Sequence, residues 1–143
     1  MSRRHIFSFL GLLLACAAAP AAAEDAATTN TPGEKIVYYF HRTARCPTCL
    51  SMEAWTGQTV EALASGKVPQ KLALRAVNLD LPENQHFVED FQITFSTVVI
   101  AEVQNGNPLR WKNLENVWNF SHDEETYKEY LESEIGPFFG VWR

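Results

Sequence analysis

A chain of 143 residues has room for one domain and little more. Its 12 Lys and Arg against 17 Asp and Glu leave a net charge of −5, an acidic balance that argues against nucleic acid and anionic lipid headgroups as partners. There is no Gly-rich phosphate loop, no G-x-S-x-G and no basic stripe, so nucleotide and hydrolase chemistries of those kinds fall away.

The first residues carry an export pattern. Met1-Ser2-Arg3-Arg4-His5 is a basic head, residues 6–15 are almost wholly apolar, and small residues follow to Ala21-Ala22-Ala23 before Glu24. That layout predicts a secretory signal peptide over residues 1–23 and a periplasmic or secreted product. The apolar run is shorter than the about 20 residues of a membrane span, so no transmembrane helix is expected in the mature chain. A second export reading competes. Leu13-Leu14-Ala15-Cys16 resembles a bacterial lipobox, which would make residues 1–15 the signal and Cys16 a lipid anchor on a membrane-attached lipoprotein facing the periplasm. Loss of residues 1–23 removes Arg3 and Arg4 but no acid, leaving 10 basic and 17 acidic residues and a net charge of −7.

Residues 24–34 lack periodicity and read as a flexible linker, with the domain proper over 35–143. Residues 36–41 form a short run of β-branched and aromatic side chains, the pattern of a buried strand. A helix is predicted from 48 to about 65, with Leu50, Ala54, Val60 and Leu63 inward, Gly57 a place for a kink and Gly66 a natural stop. Residues 72–79 read as a second strand, and Asp80-Leu81-Pro82-Glu83 as a turn. A short helix over 84–91 presents Phe87, Val88 and Phe91. Residues 97–103 are another β-branched run. Asn105-Gly106-Asn107 signals a hairpin, and 108–112 returns as an edge strand with Pro108 at its start. Ser121 to Glu124 fits a capping box; the helix it opens carries Tyr127, Tyr130, Leu131 and Ile135 on one face and is expected to end at Gly136-Pro137. Trp55, Trp111, Trp118 and Trp142 read as core or groove-lining residues. The acids at 123–125 read as a solvated helix start.

Cys46-Pro47-Thr48-Cys49 follows directly on the first strand. A strand that delivers a C-x-x-C to the first turn of a helix has the geometry for reversible dithiol–disulfide chemistry. Two intervening residues let the sulfurs meet across one turn, and the helix N-terminus stabilises whichever sulfur is the thiolate. Pro47 suits the first helical position, where its missing N–H has no partner to lose. Arg42 and Arg45 bring positive charge that should favour the thiolate further.

The order β-α-β-α-β-β-α, with the C-x-x-C at the first βα junction, resembles the thioredoxin fold over about residues 35–140. The resemblance implies a three-layer α/β/α sandwich with a central mixed sheet, Cys46 as the attacking sulfur and Cys49 as the resolving one. Tyr38-Tyr39-Phe40-His41, Arg45 to Cys49, Asn78-Leu79-Asp80 and Arg110-Trp111-Lys112-Asn113-Leu114 are similar to a narrower bacterial group named as nitrophenyl compound nitroreductase subunits. Thioredoxin-like oxidoreductases place a cis-proline opposite the cysteines. Here Ser96 or Thr97 stands at that position, and no proline occurs between Pro82 and Pro108.

Three functions stay open on these residues. The first is an exported thiol–disulfide oxidoreductase without further cofactor, acting on an exported protein or passing electrons to a redox-enzyme partner. The second is a non-enzymatic accessory subunit in which Cys46 and Cys49, with His41, hold a soft or borderline metal ion. One C-x-x-C supplies two ligands, and no second pair or H-x-x-x-H completes four. The third is a binding module with an inert disulfide. His41, at the end of the first strand, reads either as a packed residue or as a redox-supporting one. His86 and His122 are isolated and read as surface residues.

Overall fold

The structure, a computed structural model, describes residues 33–66 and 71–140. The predicted signal peptide, Cys16, most of the linker and Trp142 lie outside the described residues. The elements are β1 (Glu34–His41), α1 (Pro47–Ala64), β2 (Leu72–Asn78), a 3-10 turn (Pro82–Asn84), α2 (His86–Asp90), β3 (Thr97–Gln104), β4 (Asn107–Asn113), a second 3-10 turn (Glu115–Phe120) and α3 (Glu124–Phe139).

The four strands form one sheet in the order β2-β1-β3-β4. β1 runs parallel to β2 and antiparallel to β3, and β4 is antiparallel to β3. Helices cover both faces. Val37, Tyr39, Val98 and Ile100 pack with Met52, Val60 and Leu63 of α1 and Tyr127, Leu131 and Ile135 of α3. Ile36, Tyr38, Phe40, Val99 and Ala101 face Phe91, Ile93 and the half-buried Phe87 and Val88 around α2. This is the thioredoxin-like α/β/α sandwich with a mixed central sheet.

The continuous apolar run of β1 follows from that arrangement. A strand buried on both faces needs no polar alternation. Ile36, Val37, Tyr39 and Phe40 have no exposed surface, and burial of such side chains contributes about 1.5–3 kcal/mol each. β2 and β4 are the edges, which is why Leu74 and Ala76 are exposed and why Pro108 is tolerated beside a bulge at Glu102/Val103. Asn105 and Gly106 take positive φ of 53° and 80°, as a tight hairpin demands.

Two helices depart from expectation. On α1, Leu50 and Ala54 are exposed, and the inward face is Met52, Thr56, Thr59, Val60 and Leu63. The threonines can be buried because each hydroxyl donates four residues back, Thr56 to the Met52 carbonyl at 2.7 Å and Thr59 to the Trp55 carbonyl at 2.9 Å. α1 runs unbroken past Gly57 and ends before Gly66. α3 is capped by Asp123, whose carboxylate accepts from the Thr126 N–H at 2.9 Å, while Ser121 closes the preceding turn on the Trp118 carbonyl. It also continues through Gly136 and Pro137 to Phe139 and ends at Gly140 in the left-handed region. Buried Phe139 anchors that last turn, and Lys35 donates to its carbonyl at 2.8 Å. A cation at a helix C-terminus is favourable.

Strand pairing fixes where chemistry can gather. Phe40 pairs with Thr97 and His41 with Asn78. The loop after β1, the end of β2 and the start of β3 therefore share one end of the sheet.

Candidate functional site

Cys46 is the N-cap of the 18-residue α1, with extended backbone, and its Sγ accepts from the Cys49 N–H at 3.1 Å. Pro47 follows in the first helical turn. Cys46 and Cys49 are joined as a disulfide with Cα atoms 5.1 Å apart. Cys46 is exposed and Cys49 half-buried, so an incoming sulfur meets Cys46 first.

The loop that presents Cys46 is tied to the end of β2. Asp80 accepts from the Arg42 guanidinium at 3.0 Å and from the Thr43 N–H at 2.8 Å. Asn78 donates to Thr43 Oγ1 at 3.0 Å and accepts from the Asp80 N–H at 3.0 Å. The Leu79 N–H reaches the His41 carbonyl at 2.8 Å. The Thr43 N–H, and after it the Arg42 guanidinium, hold the Asp80 carboxyl below the usual carboxylate range.

Tyr39 supports the first turn of α1 from below. Its phenol donates to the Cys49 carbonyl at 2.7 Å, and burial pushes it up to about 12, with the Arg45 charge acting the other way. His41 is half-buried; its Nδ1 donates to the Arg42 carbonyl at 3.0 Å, and its ring stacks on Tyr39 with centroids 6.4 Å apart.

Both arginines beside the dithiol have carboxylate partners. Arg42 pairs with Asp80, and Arg45 pairs with Glu53 on α1. Their charges are thus partly compensated, which weakens the support for the thiolate expected of them from the sequence.

At the start of β3, Thr97 is buried and Ser96 half-buried, and no cis peptide occurs among the described residues. Side chains hold this segment. Trp118 Nε1 donates to the Ser96 carbonyl at 2.7 Å, and Thr97 Oγ1 donates to Asn113 Oδ1 at 2.8 Å. Phe95 is exposed and meets Trp118 edge-on.

The structure therefore sets Cys46, Pro47 and Cys49 in one helical turn, with Arg45 directly before it and paired to Glu53, while His41 ends β1 against Tyr39 and Ser96 lies at the same end of the sheet. Sequence reasoning missed Tyr39, Glu53 and Trp118 as parts of this neighbourhood. Tyr39 stood only in the strand pattern and in a segment of family resemblance, neither of which gives it a hydrogen-bond partner, and the partners of Glu53 and Trp118 depend on folding. His86 and His122 are exposed. Among the described residues no group of three or more His, Cys, Asp or Glu is arranged to hold a metal ion, and no helix is long and apolar enough to cross a membrane.

No protein-family model matches the sequence, and no curated protein does. Solved structures give partial likenesses. Trxlp from Edwardsiella tarda EIB202 is 17% identical with a TM-score of 0.39, over 69% of this chain and 82% of that one. A thioredoxin from Thermus thermophilus is 21% identical with a TM-score of 0.37, over 57% and 58%. A structure described only as a malarial protein is 20% identical with a TM-score of 0.37, over 56% and 80%. The fold is read from the strand order and directions of this chain itself.

Proposed function

We propose that the chain is an exported thiol–disulfide redox protein with Cys46 as nucleophile and Cys49 as resolver. The observation that carries this is the placement of Cys46, an exposed sulfur at a helix N-cap, within 3.1 Å of the Cys49 N–H and bonded to its half-buried neighbour. Backbone N–H groups and the helix dipole favour an anion there, so the reduced sulfur is poised as thiolate.

The exchange runs in two steps. The Cys46 thiolate attacks one sulfur of a partner disulfide, that S–S bond breaks, and the displaced partner sulfur leaves as thiolate. Cys49, after giving up its proton to solvent, attacks Cys46 Sγ and expels the second partner thiolate. Two electrons pass to the partner and the Cys46–Cys49 disulfide closes. The reverse sequence oxidises a partner dithiol.

An exported site suits this chemistry, since disulfides persist outside the cytosol. The signal pattern of residues 1–23 supports that compartment. The segments similar to the nitrophenyl compound nitroreductase subunit group favour a redox enzyme, rather than a nascent exported protein, as the partner. The test is disulfide exchange with a model substrate disulfide. Cys46→Ser should abolish it, and Cys49→Ser should trap the mixed disulfide on Cys46. Undiminished exchange by Cys46→Ser overturns the proposal.

A further inference from the structure

Arg45 directly precedes Cys46, and Glu53 lies about two turns further along α1. Their side chains pair through Arg45 Nη2 and Glu53 Oε2, and both are mostly covered, at 23% and 28% exposure. Its charge also acts against the burial that raises the phenol of Tyr39, the side chain that hydrogen-bonds the Cys49 carbonyl. Arg45 Nε and Nη2 are both buried without a hydrogen-bond partner, so Glu53 meets the guanidinium as an ion pair. The cation of the residue before Cys46 is therefore mostly covered, with Glu53 as its carboxylate partner. Salt screens a partly covered pair less than a fully exposed one.

We infer that Glu53 is a positioning residue that sets the redox balance of the dithiol by holding and neutralising Arg45. The inference rests on the exchange function proposed above and deepens it. An uncompensated Arg45 would stabilise the Cys46 thiolate, hence the reduced form, and make the disulfide a stronger oxidant. Glu53 cancels that bias and leaves the pair more reducing than the basic loop sequence suggests.

The signs of the effects separate this role from a structural one. Purified wild type, Glu53→Gln, Arg45→Gln and the double variant are equilibrated with glutathione, so that the protein disulfide and two glutathione thiols exchange with the protein dithiol and glutathione disulfide. The thiolate absorbance of each reduced protein is followed against pH. Glu53→Gln is expected to move the equilibrium toward the dithiol by about three- to tenfold and the thiolate midpoint to lower pH. Arg45→Gln should move both the opposite way, and the double variant should return toward wild type. Shifts in the same direction, or none in either single variant, overturn the inference while the exchange function stands. A wild type that never exchanges with glutathione overturns that function, and this inference with it.

Discussion

The phenol of Tyr39 and the carbonyl of Cys49 are joined by a 2.7 Å hydrogen bond that links the central strand to the first turn of the helix bearing the dithiol. The carbonyl also serves the helix ladder, so this bond is an addition rather than its only partner. Tyr39→Phe should cost about 1 kcal/mol in urea unfolding at neutral pH. The pH dependence has a definite sign. Burial raises the folded phenol to about 12 from 10.0, so the folded state keeps a proton that the unfolded chain releases. The stability this contributes is complete below about pH 10 and is lost as pH rises toward about 12. Tyr39→Phe should flatten that decline, and an alkaline limb identical to wild type would contradict the assignment.

Asp80 acts on the loop rather than on the helix. Its carboxyl is held below the ordinary range, first by the Thr43 N–H and then by Arg42. A depressed folded pKa contributes stability above the unfolded value and loses it as pH falls through the folded one. The difference between wild type and Asp80→Asn should therefore be present at neutral pH and close below about pH 4. Hydrogen exchange gives a local check. The Thr43 amide should exchange faster in Asp80→Asn, and unchanged protection would mean that the loop is held by other bonds.

Much of this architecture is legible in residue order, for identifiable reasons. β1 shows because a strand buried on both faces must be apolar throughout, and the hairpin shows because Asn105 and Gly106 are chemically suited to positive φ. The dithiol shows because its spacing is local. The inward face of α1 was misjudged because threonines stand at Thr56 and Thr59, where periodicity looks for aliphatic residues. Pro137 looked like a stop, but Phe139 packing and the Lys35 bond keep the last turn helical across it. The partner of Arg42 was hidden for a different reason. Asp80 lies 38 residues from Arg42, and only the parallel pairing of β1 with β2 brings them together. Trp118 reaches Ser96 across 22 residues, through the antiparallel return of β4 along β3.

Thr56 and Tyr127 join α1 to α3 through a buried hydroxyl pair 3.0 Å apart. Thr56 has one hydroxyl hydrogen, and the Met52 carbonyl takes it at 2.7 Å. Tyr127 must then be the donor of the pair, and its burial raises its pKa. Removing the two partners should have unequal costs. Thr56→Val leaves a buried phenol O–H without an acceptor, a loss of about 1–3 kcal/mol. Tyr127→Phe removes the donor but leaves Thr56 its bond to Met52, and should cost less. The double variant removes the stranded donor and should be more stable than Thr56→Val alone, a coupling that urea unfolding of the four proteins measures directly. Additive losses would mean that Tyr127 donates elsewhere once Thr56 is gone, and that this bond is not what holds the two helices in register.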